Sequence, residues 1–167
     1  KRQFVYLPGG YPELYLAALS ANRQMLQSIR RYVESGGKLL AECGGMMYLC
    51  DEIRDKNGYV YPMAGVLHQS ATMENMKLRL GYRTLLYNET RLKGHEFHYS
   101  RLVEQQNPLP SCAVAYTAKG VETDTPLYHY KNVWAGYTHL YWADPVGNEW
   151  FTKFVIDGNT RSLYTNK

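Results

Sequence analysis

Two short strand-like runs, each closing on a glycine pair, constrain this chain more than anything else in it. Phe4-Val5-Tyr6-Leu7 stops at Pro8-Gly9-Gly10, and Lys38-Leu39-Leu40-Ala41-Glu42 stops at Cys43-Gly44-Gly45. Between them, Pro12 and Glu13 suit the first turn of a helix, and Leu14, Ala17 and Ala18 recur at helical spacing. The period breaks over residues 20–22, resumes through Met25, Leu26, Ile29 and Val33, and stops at Ser35-Gly36-Gly37. Met46, Met47, Tyr48 and Leu49 then open another helix. Strand, helix, strand, helix with short connections predicts a doubly wound α/β sheet, mostly parallel.

The second half changes character. Residues 82–87, 96–100, 113–117, 127–130 and 133–137 read as short strands separated by turn residues. Residues 149–156 predict a last helix, closed by Asp157-Gly158-Asn159, with a loose polar tail over about 160–167. With 45% apolar and 20% charged residues in 167, one domain with its own core is expected. The net charge of +4 is scattered, too mild to predict a nucleic-acid partner. No apolar stretch approaches the roughly 20 residues needed to span a bilayer, so no membrane attachment is expected. Cysteines at 43, 50 and 112 are odd in number and irregular in spacing, which predicts free thiols in a reducing, cytoplasmic setting.

Cys43 carries the chemistry. It sits at a strand-to-helix junction, where the two following glycines let the backbone turn sharply and a helix N-terminus lies beside the sulfur. Both features favour thiolate, although a buried inert thiol is the commoner fate of a free cysteine. Cys50 and Cys112 lack such surroundings and read as structural. A nucleophilic thiol needs a base and an oxyanion hole. Of the histidines, His139 lies just past a predicted strand, and backbone donors at Gly9, Gly10 and Gly44 fall at the same sheet edge. In Gly94-His95-Glu96-Phe97-His98-Tyr99-Ser100, strand alternation sends His95 and His98 to opposite faces, so a shared metal is not expected. His95, Glu96 and His98 are pocket or interface candidates, and Glu96 is a candidate for orienting a histidine.

These blocks, Leu7 to Leu14, Ala41 to Leu49, Gly94 to Ser100 and Tyr137-Thr138-His139, resemble the C-terminal glutaminase domain of cobyrinic acid a,c-diamide synthases. The resemblance runs from about Phe4 to about Phe154. It implies the flavodoxin-like fold of class I glutamine amidotransferases, with Cys43 as nucleophile and His139 as general base and then general acid. Gly10 and Gly44, with Gly9 beside them, are implied as the oxyanion or glutamine-binding donors, and Tyr11 and Met47 as further pocket residues. Glutamine is the implied substrate, and the glutaminase itself needs no cofactor. The remaining half of the reaction, ATP- and Mg-dependent amidation of a corrinoid, is implied to lie in an N-terminal synthetase domain outside this chain. Consistent with that, no Gly-x-x-x-x-Gly-Lys-Ser/Thr loop occurs here.

Two departures from the broader class stand out. Tyr141 occupies the position two after the histidine where many relatives carry the orienting glutamate, and Met47 occupies the position where many carry a substrate-touching glutamine. Amidation of hydrogenobyrinate or a nickel sirohydrochlorin, or a docking module that has kept only the fold, are the alternatives the residues leave open. The resemblance also implies that residues 1–167 are a C-terminal piece of a longer enzyme lacking the first strands of its own sheet. The Phe4–Leu7 strand is then an edge open to pairing, with a homo-oligomer as one outcome.

Overall fold

The doubly wound beginning forms as expected in a computed structural model, which describes residues 3–153. β1 (Phe4–Leu7) leads through a 3-10 turn (Pro12–Leu14) to α1 (Leu16–Ala21) and α2 (Arg23–Glu34). Asn22 separates the helices, and its side chain caps α2 by accepting from the Met25 N–H at 3.2 Å. Gly36, at φ +90°, makes the left-handed turn that ends α2 and sends the chain into β2 (Lys38–Glu42). α3 (Gly44–Leu49) starts two residues earlier than Met46, because Cys43 itself makes the turn.

The strands that follow are β3 (Cys50–Arg54), β4 (Val60–Pro62), β5 (Leu67–Thr72), β6 (Arg79–Tyr87), β7 (Thr90–His98) and β8 (Arg101–Leu102). Then come β9 (Val114–Thr117), β10 (Glu122–Thr123), β11 (Leu127–Tyr130), β12 (Val133–Gly136), β13 (His139–Leu140) and α4 (Pro145–Thr152). The first sheet has the order β1-β2-β12-β11, with the β1, β2 and β12 neighbours parallel and β11 antiparallel to β12. The second, β10-β9-β6-β7-β13, is antiparallel throughout. The third, β4-β3-β5-β8, is mixed. The parallel part is thus confined to β1, β2, β12 and the β3–β5 pair, and the antiparallel hairpin β6–β7 is longer than either of the strands read there. Strands β3 to β5 were not legible, since β3 is broken by charges, β4 is only three residues long, β5 is mostly polar, and the β3–β5 pairing carries a register shift between Cys50 and Glu52.

Alternation along β2 and β12 explains the layering. Leu39, Ala41, Val133 and Ala135 face a core shared with Leu16, Leu26, Val33 and Met46 of the first three helices. Leu40 and Trp134 face the opposite way, into a second core with Leu85, Tyr87 and Leu92 of the antiparallel sheet and Trp150 of α4. The Trp134 ring meets Tyr87 and Trp150 edge-on at 5.0 and 5.2 Å. The first three helices therefore cover one face of the first sheet, and the antiparallel sheet with α4 covers the other. The last helix begins at Pro145 rather than residue 149, because the Asp144 side chain caps it by accepting from the Gly147 N–H. The expected helix end and loose tail lie outside the described residues. Among the described residues β1 pairs only with β2 and so sits at a sheet edge, and no helix is long and apolar enough to cross a membrane.

Candidate active site

Cys43 adopts φ 51° and ψ −112°, a conformation that L-residues seldom take and that costs about 1–3 kcal/mol. The strain is held from three sides. The Cys43 N–H donates to the Gly136 carbonyl at 2.8 Å, and its own carbonyl accepts from the Met47 N–H at 3.1 Å. The glycines beside it are packed against the first glycine turn: a β-carbon on Gly44 would stand 2.5 Å from the Gly10 carbonyl oxygen and 2.7 Å from Pro12 Cδ. One on Gly45 would run into the Leu7 carbonyl. Gly9, Gly44 and Gly45 thus let the two strand ends touch backbone to backbone, while Gly10 supplies the positive φ of the first turn.

His139 comes from β13, whose register sets it opposite His95 of β7, and the two rings stack with centroids 5.0 Å apart. A β-carbon on Gly9 would lie 2.9 Å from His139 Cε1 and 3.6 Å from Cys43 Cβ, so imidazole and nucleophile share one small space across that glycine. The thiol at rest turns elsewhere, donating to the Phe97 carbonyl at 3.6 Å. Catalytic hydrogen bonds often tighten only once substrate is bound.

The thiolate expected beside the helix start is not the resting form. Burial pushes the Cys43 thiol up to about 11, the Gly44 N–H opposes it, and the negative charges of Glu13, Glu42 and Glu96 add to it. Burial also holds His139 below its usual value, reinforced by His95 and His98. The resting pair is therefore a protonated thiol beside a neutral imidazole. Cys50 and Cys112 are pushed up to about 12, mainly by burial, as befits structural thiols.

The Gly94–Ser100 block divides as alternation requires. Glu96, His98 and Ser100 are buried, while Phe97 and Tyr99 are exposed. Glu96 accepts from Arg83 Nε at 3.2 Å and from the Thr125 hydroxyl, and lies 3.2 Å from His98 Nε2. Burial raises its carboxyl, but the His98 and Thr125 bonds and the Arg83 charge outweigh that and hold it below the usual range. The histidine that Glu96 orients is His98, not His139. His98 stacks on Tyr137 at 3.6 Å, and the Tyr137 and Ser100 hydroxyls meet at 2.8 Å. Met47 is buried in the same network, with the Ser100 hydroxyl donating to its sulfur at 3.2 Å. Tyr11 lies on another side, half-exposed in an apolar groove of about 470 Å³ shared with Gly9, Gly10, Gly44 and Tyr15.

One residue of the site, within the Ala41–Leu49 block, has no role implied for it by the resemblance. Glu42, immediately before the nucleophile, is 1% exposed. Its carboxylate accepts from the Leu140 N–H at 2.6 Å and from the Tyr6 hydroxyl. The only hint in the sequence is an acidic residue ending a strand that is otherwise buried there.

A thiol on a strand-to-helix elbow at the carboxyl end of β2, beside a histidine on β13 just past the carboxyl end of the neighbouring β12, fits the site of a glutamine amidotransferase. A solved glutamine amidotransferase shares the fold at a TM-score of 0.55, with 19% identity, over 91% of this chain and 78% of that one. The CobB/CobQ-like glutamine amidotransferase domain model matches residues 1–146, and the chain belongs to that family. The hydrogenobyrinate a,c-diamide synthase of Stutzerimonas stutzeri is 38% identical over 143 residues, covering 85% of this chain and 33% of that protein. The cobyrinate a,c-diamide synthase of Salmonella typhimurium is 34% identical over 149 residues, covering 84% and 32%. The chain spans about a third of the length of these relatives.

Proposed function

We propose that this domain hydrolyses glutamine to glutamate and ammonia, with Cys43 as nucleophile and His139 as the proton carrier. The observation that carries the reading is the positive-φ Cys43 sharing the space over Gly9 with the His139 ring. His139 takes the thiol proton as Sγ bonds to the side-chain carboxamide carbon of glutamine. The Gly10 and Gly44 backbone N–H groups hold the oxyanion that forms, each worth about 10²- to 10³-fold in rate. The carbon–nitrogen bond then breaks, His139 returns the proton to the leaving amine, and ammonia departs from a thioester. Water attacks the thioester with His139 as base, glutamate leaves, and the thiol is restored.

The ammonia serves amidation of the a and c side-chain carboxylates of cobyrinate or hydrogenobyrinate, a step belonging to cobalamin synthesis. Relatives with either substrate in their names, and their threefold greater length, support this reading. Activation of those carboxylates with ATP and Mg belongs to the synthetase part of such a protein, and the choice of tetrapyrrole goes with it. The exposed Leu80 and Tyr82 of β6, with Phe97 of the paired β7 and Tyr99 just past it, offer that part an apolar face beside the site, where the Phe97 carbonyl holds the thiol.

Glutamate release is the test. Cys43→Ala is expected to abolish it, and diazo-oxo-norleucine is expected to label Cys43 and spare Cys50 and Cys112. Glutamate release that survives Cys43→Ala overturns the assignment.

A further inference from the structure

Histidines paired with a nucleophile are ordinarily oriented by a carboxylate, and Tyr141, two residues after His139, offers none. The structure supplies a carboxylate by another route. β13 is only two residues long and pairs on one side with β7. On its other side no strand follows among the described residues, and the Glu42 carboxylate stands where a neighbouring carbonyl otherwise would, accepting the Leu140 N–H at 2.6 Å. Its second oxygen is taken by the Tyr6 hydroxyl from β1, so the side chain is anchored at both ends. Four residues before Leu140, the Gly136 carbonyl accepts the Cys43 N–H at 2.8 Å. The loop that carries His139 is therefore tied at both ends, Gly136 and Leu140, to the consecutive residues Cys43 and Glu42. Between the ties, Gly9 limits the ring, leaving no room for a β-carbon beside Cε1.

We infer that Glu42 is a positioning residue for His139, holding the backbone of the histidine strand in register with the nucleophile and so replacing the missing glutamate that elsewhere holds the ring. It touches neither the imidazole nor the thiol in this arrangement. The inference rests on the Cys43 and His139 roles proposed above. It also accounts for an acidic side chain buried next to a nucleophile whose thiolate it disfavours: the backbone tie, not the charge, is what the site uses.

The test compares Glu42→Ala, Glu42→Gln and Tyr6→Phe in the full chain, by steady-state glutamine hydrolysis, with Cys43→Ala as the blank. Glutamine can offer Leu140 a carbonyl oxygen and donate its amide to the Tyr6 oxygen, so Glu42→Gln is expected to stay within about fivefold of the parent kcat. Glu42→Ala frees the strand, and a displacement on the order of 1 Å lowers kcat by about 10²-fold, with KM within about threefold because glutamine does not contact this side chain. Tyr6→Phe removes only the outer anchor, lowering kcat by about threefold to tenfold at constant KM. If Glu42→Ala does not fold, the Glu42→Gln and Tyr6→Phe pair still decides. A Glu42→Gln enzyme that loses about 10²-fold or more overturns the inference, because the charge would then matter rather than the tie. Parent-like kcat in both Glu42→Ala and Tyr6→Phe overturns it too, as does a loss carried mainly by KM. Glutamate release that persists in the Cys43→Ala blank instead sinks the proposed function itself.

Discussion

Gly9→Ala is expected to slow glutamine hydrolysis by about tenfold to 10²-fold while leaving the protein folded. Two separate costs arise from the geometry. Gly9 sits at φ +112°, where an L-residue is strained by about 1–3 kcal/mol. The added methyl would also stand 2.9 Å from His139 Cε1 and 3.1 Å from the Glu42 carbonyl oxygen. The carbonyl belongs to β2 and is held in a sheet, so the imidazole is the group that yields, by about half an ångström toward ordinary contact distance. Misplacement on the order of 1 Å costs about 10²-fold in rate, which sets the expected range. Gly120→Ala, in a turn away from the site, isolates the first cost, since φ is +78° and no atom lies within 4 Å of the added carbon. Each kcal/mol lowers the melting temperature of a domain this size by about 2–4 °C, so both variants are expected to melt several degrees lower. Glutamate release followed by a coupled dehydrogenase assay, beside thermal melts, separates the two costs. If Gly9→Ala melts lower but turns over at the parent rate, or if Gly120→Ala loses as much rate as Gly9→Ala, the ring is not packed against Gly9 in the working enzyme.

Other expectations follow from the same coordinates. Because burial first and His95 and His98 second hold His139 below 6.5, kcat/KM for glutamine is expected to rise through an apparent pKa below that value and then level off. His139→Asn should remove this limb along with the activity. With Cys43 pushed up to about 11, iodoacetamide labelling of the free enzyme should be slow at pH 7 and grow about tenfold per pH unit through pH 9; fast labelling at pH 7 contradicts a protonated resting thiol. Burial carries Glu42 up to about 7 despite the bonds from Tyr6 and Leu140. Its folded form holds the proton more tightly than the unfolded form, so its contribution is greatest below about 4.5 and is lost as pH rises toward 7, by about 3 kcal/mol in total. Denaturant midpoints of the parent minus those of Glu42→Gln should therefore fall across pH 4.5 to 7. Arg83→Met leaves the buried Glu96 short of its cation and is expected to cost about 3 kcal/mol, read from the same unfolding curves.

Much of the site was legible because local chemistry dictates it. A Gly-Gly pair after a short strand announces a sharp turn wherever it occurs, and Cys43 followed by two glycines announces an elbow. The separation of His95 from His98 followed from strand alternation alone, and the buried class of Glu96, His98 and Ser100 agrees with it. What stayed hidden depends on atoms distant in sequence. Glu96 could be placed near a histidine, but whether that was His98 or His139 depends on how β7 lies against β6 and β13. The strands of residues 50–72 were missed because they are stabilised by pairing with one another rather than by a strong period of their own.

By itself, then, the order of residues determined where the chain turns, which thiol lies at an elbow, and which family the four blocks resemble. The first two are properties of φ, ψ and side-chain alternation, which act over a few residues, and the third rests on the motif residues themselves. Only the tertiary structure decided the protonation of that thiol and the identity of the carboxylate behind His139. The first depends on burial and on the summed charge of Glu13, Glu42 and Glu96, which no local window contains. The second depends on a hydrogen bond between residues 42 and 140, formed because β1, β2 and β12 lie side by side and bring the end of one strand to the loop after another. Sequence neighbours set the turn, and distant neighbours set the chemistry, because electrostatic and hydrogen-bond energies are governed by distance in space.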